Sequence, residues 1–408
     1  MQQPISITSN GTWQVPDYPA VACIKGDGIG SDIWPNARIV LDAAVNAVFG
    51  EDKKINWVPV PAGASSFKQT GHWLPAQTLE TIRTLKVAIK GPLATPVGKG
   101  IRSLNVRLRK ELDLYACIRP VTYYPPVPSP VKHPEKVDMV VFRENTEDVY
   151  AGMEWEAGTQ ECQQLMHMLK TRLNCHLPAS SALGLKPMSP ENTRRLVKKA
   201  CEYALENNRK SVTLMHKGNI MKFTEGGFRK WGYEAAFECF GDRMITEDVL
   251  YARYEGVVPD GHVVVRDRIA DMVFADVLLR PEQYDIIACP NLNGDYISDA
   301  LAAQVGGLGM APGANIGDTC AVFEATHGTA PDIAGKDVAN PCSLMLSGAM
   351  MLDHLGWHAA GDAVRRAVGQ ALAGGQVTSD LADQIPGAKA VSCSGFSQIV
   401  MENLFVTA

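Results

Sequence analysis

The sequence predicts an α/β protein, and three observations lead there. Short apolar runs that read as buried strands alternate with amphipathic helical stretches along most of the chain. The glycine turn Lys25-Gly-Asp-Gly-Ile-Gly30 sits between such a strand and a helix. The strand-like Tyr284-Asp-Ile-Ile-Ala-Cys289 runs directly into a helical stretch bearing Asp295 and Asp299. At 408 residues the chain can bury a large core and divide into two or three lobes.

In order, residues 1–20 read as a polar lead-in and 20–24 as a short buried strand. The glycine turn does not complete G-x-G-x-x-G, because Ser31 and Ile33 occupy the sixth positions. It reads as a tight turn near a ligand, followed by an amphipathic helix over 31–49. Residues 85–90 form the next strand, and the Gly/Pro-rich loop 91–98 follows it. A basic helix is predicted over 104–112, and strands over 114–118 and 137–142. Residues 151–189 break the α/β rhythm with Gly, Pro, His and Cys, and read as an inserted arm suited to dimer contacts. A helix over 190–207, a strand over 211–215 and a turn at Lys217-Gly-Asn-Ile come next. After Gly306 the pattern predicts a glycine-rich loop region and then helices.

Bulk composition excludes several classes. A net charge of −5 with no dominant Lys/Arg run argues against nucleic acid. No apolar stretch reaches the length of a membrane span, and the N-terminus lacks the basic and apolar regions of a signal peptide. Ten scattered cysteines without a C-x-x-C pair fit free thiols in a reducing cytoplasm and argue against zinc. A cytoplasmic location is the expectation.

Asp295 and Asp299 are four apart and share one helical face. Adjacent carboxylates repel, so a cation between them is the natural complement, and oxygen ligands suit Mg²⁺ or Mn²⁺. A lone D-x-x-x-D more often just complements the helix dipole. Here Arg109, Arg119 and Arg143 also stand near strand ends, and guanidinium groups grip carboxylates in a two-pronged way. Singly each reads as a surface ion pair. With Ser103, Asn105, Tyr150 and Lys217 they suggest a pocket for a polyanionic small molecule and a metal.

Five motifs carry a resemblance. Ile101-Arg-Ser-Leu-Asn-Val106, Arg143-Glu-Asn-Thr-Glu-Asp-Val-Tyr150, His216-Lys-Gly-Asn-Ile220, Asn291-Leu-Asn-Gly-Asp-Tyr-Ile-Ser-Asp299 and Glu324-Ala-Thr-His-Gly-Thr-Ala330 occur in that order. With them the chain resembles, from about residue 20 onward, the bacterial homodimeric isocitrate dehydrogenases, within the isocitrate/isopropylmalate dehydrogenase family. The resemblance implies a three-layer α/β fold that is not a Rossmann fold. It implies a large domain of 1–114 and 306–408, a small domain of 115–147 and 190–305, and a clasp-like insertion at 148–189. It implies that Ser103, Asn105, Arg109, Arg119 and Arg143 hold isocitrate. Asp295 and Asp299 would ligate the metal, completed by Asp271 of a second subunit. Tyr150, with Lys217 of that second subunit, would handle protons, so a homodimer sharing its sites is expected. Lys90, Thr95, His327, Gly328, Asp332, Ile333 and Asn340 would line the cofactor. The implied reaction is oxidation of isocitrate, loss of CO₂ and protonation to 2-oxoglutarate.

The family pattern also predicts the cofactor. NADP-using members carry Lys-Tyr where this chain has Asp332 and Ile333, and Tyr and Arg where it has Ser379 and Asp383. At about 4 Å and an effective dielectric near 20, each acid–phosphate repulsion is on the order of 4 kcal/mol before screening. NAD is therefore expected. The competing reading is that Asp332 merely caps or pairs with Lys336, or that Lys336 serves a phosphate. Ala94-Thr95 stands where relatives usually show Thr-Thr. Sister enzymes acting on 3-isopropylmalate, homoisocitrate or tartrate, and a non-catalytic subunit, are the rival functions.

Overall fold

The computed structural model describes residues 4–94 and 103–405. Thr95 and the Ile101-Arg102 start of one motif lie outside the described residues. The fold is organised on one eleven-stranded sheet. Its order is Met244–Thr246, Val263–Ile269, Ser211–His216, Ile286–Cys289, Asp138–Glu144, Ala116–Thr122, Pro312–Ile316, Ala321–Ala325, Val87–Lys90, Ala20–Ile24 and Asn56–Pro59. The first five strands are mutually parallel, as are the last four. Antiparallel pairings join the two blocks through Ala116–Thr122 and Pro312–Ile316.

Helices cover both faces. Successive strand residues point to opposite sides, and they enter different apolar clusters. Val21 and Cys23 pack with the helices Gly30–Phe49, Cys342–His354 and His358–Ala373, whereas Ala22 and Ile24 pack with Ala76–Leu85 and Leu104–Glu111. Val140 and Phe142 face Pro190–Glu206, whereas Met139 and Val141 face Ala270–Leu279 and Asn291–Gln304. The result is the expected three-layer α/β arrangement. Residues 151–189 contribute the helix Gln160–Leu173 and the small antiparallel pair Glu154–Trp155 with Leu183–Gly184.

The glycine turn presses against backbone. Gly28 has φ +55, and a Cβ there would lie 2.0 Å from the Thr329 carbonyl oxygen. The Ile29 N–H donates to that same oxygen at 2.9 Å, and Asp27 N–H donates to Pro92 O at 2.7 Å. The turn thus braces the loops around Pro92 and Thr329.

One expectation is corrected. The segment read as a loop region after Gly306 contains two central strands, Pro312–Ile316 and Ala321–Ala325. Pro312, Gly313 and Asn315 are poor strand formers, and burial between neighbouring strands overrides them. Their register brings Glu324 opposite Lys90 and Gly313, and Asn315 opposite Cys117, which itself faces Arg143.

Candidate active site

Three arginines stand close together on the sheet. Arg109 comes from the helix Leu104–Glu111, and Arg119 and Arg143 from the two strands beside it. All three are buried, Arg143 to 2% exposure. Burial lowers the Arg143 pKa, and the positive charges of Arg109 and Arg119 lower it further. Grouping cations this way is costly unless anions balance them. The chain's own anions do so in part. Glu324 accepts Lys90 at 2.6 Å and Arg109 at 2.8 Å. Burial would raise its carboxyl, but the two cations together hold it well below the usual range.

Asp295 and Asp299 add two more carboxylates, which leaves the four cations Lys90, Arg109, Arg119 and Arg143 facing three anions. The strand Ile286–Cys289 delivers the chain to the helix Asn291–Gln304, which carries both. Arg143 donates to Asn291 Oδ1 at 2.9 Å and to Asp295 Oδ1. Gly294 allows this, since a Cβ there would sit 2.4 Å from Arg143 Cγ. Arg119 pairs with Asp299 at 3.1 Å and donates to Ser298. The Tyr150 hydroxyl donates to Asp295 Oδ2 at 2.6 Å, and the Arg143 guanidinium lies 5.0 Å from the Tyr150 ring centroid. Burial and that bond to a carboxylate push the Tyr150 pKa up to about 12. The two acids are driven apart. Burial would raise Asp295, yet Arg143, the Tyr150 hydroxyl and the other arginines bring it below its ordinary value. Burial raises Asp299, with Arg119 offsetting it only in part.

Lys217 and Asp271 form a separate pair. Lys217 follows the strand Ser211–His216, and its ammonium bonds Asp271 at the start of the helix Ala270–Leu279. Among the described residues no group of three His, Cys, Asp or Glu side chains is gathered to hold a metal. One chain therefore does not bring Asp271 to Asp295 and Asp299. Those two still offer hard oxygen donors from one helical face, and Asp299 Oδ2 takes no hydrogen bond from the described residues. That donor set suits a divalent cation.

Ser103 caps the helix Leu104–Glu111, its Oγ accepting from Val106 N–H at 3.5 Å. Asn105 Oδ1 is buried without a partner among the described residues. Lys90 is 1% exposed and committed to Glu324. The His327 Nε2 is buried and has no partner among the described residues, and burial lowers the pKa of His327. Gly328 is exposed, with nothing within 4 Å of a Cβ placed there. Asn340 is pinned, donating to Asp380 at 3.0 Å and accepting from Cys342 N–H at 3.0 Å. Asp332 and Ile333 lie on an exposed turn.

The sequence model described as isocitrate/isopropylmalate dehydrogenase matches residues 20–400. The chain belongs to that family. A protein of Streptococcus mutans named isocitrate dehydrogenase [NADP] is 53% identical over 399 residues, 97% of this chain and 98% of that one. One of Archaeoglobus fulgidus with the same name is 52% identical over 395 residues, covering 97% and 95%. The crystal structure of isocitrate dehydrogenase from Methylococcus capsulatus superposes with a TM-score of 0.78 at 34% identity, over 95% of this chain and 99% of that one.

These relatives of the family member described here overturn the expected NAD. Both curated proteins, each more than half identical to this chain over nearly its full length, are named for NADP. The charge argument also carries less weight than the sequence alone gives it. Asp332 and Asp383 are exposed, where water cuts a repulsion of on the order of 4 kcal/mol to about 1 and salt screens the remainder. Nor does Asp332 pair with Lys336. That lysine is exposed and has no ion pair among the described residues.

Sequence reasoning assigned no role to Glu324, Asn291 or Ser298, which hold the arginines. All three stood within quoted motifs. A charged residue in the middle of a buried strand was the available signal for Glu324.

Proposed function

We propose that this chain catalyses the oxidative decarboxylation of isocitrate to 2-oxoglutarate and CO₂ with NADP. The observation that carries the reading is the convergence of Arg109, Arg119 and Arg143 on Asp295, Asp299 and Tyr150. A tricarboxylate supplies the anions that three buried guanidinium groups call for. Ser103 supports this. Its Oγ accepts at the helix cap, which leaves its hydroxyl proton to donate to a substrate carboxylate.

Asp295 and Asp299, with Asp271 of a second copy, would hold Mg²⁺ or Mn²⁺; bound there, the cation would polarise a substrate oxygen, and NADP would take the hydride. The arginines orient the substrate. Lys217 of a second copy removes the hydroxyl proton, directly or through water. Tyr150, a poor acid held at a high pKa, delivers its proton only to a strongly basic carbon. His327 and Lys336 are the groups we assign to the cofactor. The division into 1–114 with 306–408, and 115–147 with 190–305, is supported by apolar clusters drawn largely from one set or the other.

The test is absorbance at the reduced-nicotinamide band with isocitrate, Mg²⁺ and each cofactor in turn, with an EDTA control. No turnover of isocitrate, or faster turnover of 3-isopropylmalate, would reject the reading.

A further inference from the structure

We infer that Lys186 is a positioning residue. From one buried ion centre it sets both proton-handling segments, those of Tyr150 and Lys217, and this rests on the function proposed above. Its ammonium lies 2.5 Å from Asp148 Oδ1 and 2.9 Å from Glu225 Oε1. Asp148 is 1% exposed and Glu225 fully buried. Lys186 is the cation these two buried carboxylates share, and a buried charge left without its partner is costly.

Each carboxylate also fixes a working segment. Asp148 opens the 3₁₀ turn Asp148–Ala151 that presents Tyr150, and it does so with φ 68, a conformation that non-glycine residues rarely take. Its Oδ1 accepts from Val149 N–H at 2.7 Å. Its Oδ2 accepts from Leu292 N–H at 2.9 Å, in the first turn of the helix bearing Asp295 and Asp299. Glu225 Oε2 accepts from the Lys217 backbone N–H and from Asn293 Nδ2 at 3.0 Å. Lys186 therefore ties together the Tyr150 turn, the Lys217 turn and the start of the acid-bearing helix. None of the substrate arginines touches it. Its loss should displace both proton-handling groups, while the substrate arginines keep their own carboxylates, Arg109 on Glu324, Arg119 on Asp299 and Arg143 on Asp295.

The test is Lys186→Met in the full-length enzyme, beside the double variant Lys186→Met/Glu225→Gln, which removes one carboxylate charge with the ammonium and so secures folding. The expected result in both is a kcat lower by about 10²-fold, the loss that a displacement of about 1 Å can cause. The isocitrate KM should stay within about threefold, and the solvent deuterium isotope effect on kcat should rise as proton transfer becomes limiting. Either variant keeping kcat within threefold of the parent would overturn the inference. So would a loss of kcat that vanishes once rates are scaled to the folded fraction. Failure of the underlying functional reading shows separately, as Tyr150→Phe turning over at the parent rate.

Discussion

Tyr150 donates its hydroxyl to Asp295 at 2.6 Å, so the proposed proton donor is held by a proposed cation ligand. The same carboxylate is bonded by Arg143 through its other oxygen. Removing the Tyr150 hydroxyl takes away one donor to Asp295 and the proton itself, but no substrate arginine. Tyr150→Phe should therefore lower kcat by about 10²- to 10⁴-fold, the usual range for a general acid, with an isocitrate KM changed less than about fivefold. Steady-state kinetics decide it, and an unchanged kcat removes Tyr150 from the reaction.

The paired acids make a second prediction. Asp295 and Asp299 are balanced by Arg143 and Arg119 and leave donor capacity for a cation. Mg²⁺ should raise the melting midpoint of the parent protein, and EDTA should abolish turnover. In Asp295→Asn/Asp299→Asn the Mg²⁺-dependent rise should vanish, because a ligand stabilises only the fold that binds it. Equal Mg²⁺ stabilisation of both proteins would place the cation elsewhere.

Much of this site was legible as residue types at set spacings. Asp295 and Asp299 are close in sequence, so helical periodicity alone places them on one face. The arginines are far apart in sequence, and only the sheet order makes them neighbours. The strands Pro312–Ile316 and Ala321–Ala325 were missed because their short, Gly- and Pro-containing sequences draw stability from neighbours rather than from intrinsic preference. Glu324 was missed as an anchor for the same reason. Its partners Lys90 and Arg109 meet it only through tertiary pairing. The cofactor expectation failed differently. Residue charge was read correctly, but its exposure, which sets its energetic weight, is not written in the local sequence.

Glu324 carries the stability prediction. It is the shared anion of two buried cations, and its carboxyl is held far below its ordinary value of 4.5. Glu324→Gln leaves Lys90 and Arg109 without that anion, and should cost about 3–5 kcal/mol, as other broken buried pairs do. Because the folded pKa is depressed, the stabilisation is fully present above pH 4.5 and fades as pH falls toward the folded value. Denaturant unfolding of parent and variant should therefore show a gap at pH 7 that narrows progressively below pH 4.5. A gap constant down to strongly acid pH would mean the ion pairs carry no net weight.

The cofactor prediction turns on the loop bearing Asp332 and Lys336. Both side chains are exposed, and neither pairs with the other. An NADP 2′-phosphate near this loop would meet a cation that is unpaired among the described residues, and one screened acid. An exposed ion contact contributes up to about 1 kcal/mol, or roughly fivefold in affinity. We expect kcat/KM for NADP to exceed that for NAD, and Lys336→Ala to raise the NADP KM about fivefold while leaving the NAD KM unchanged. Phosphate-specific recognition also predicts a salt dependence of KM for NADP steeper than for NAD. Faster turnover with NAD, indifferent to Lys336→Ala, would mean that Asp332 and Asp383 act at closer range on the bound ribose than their exposure implies.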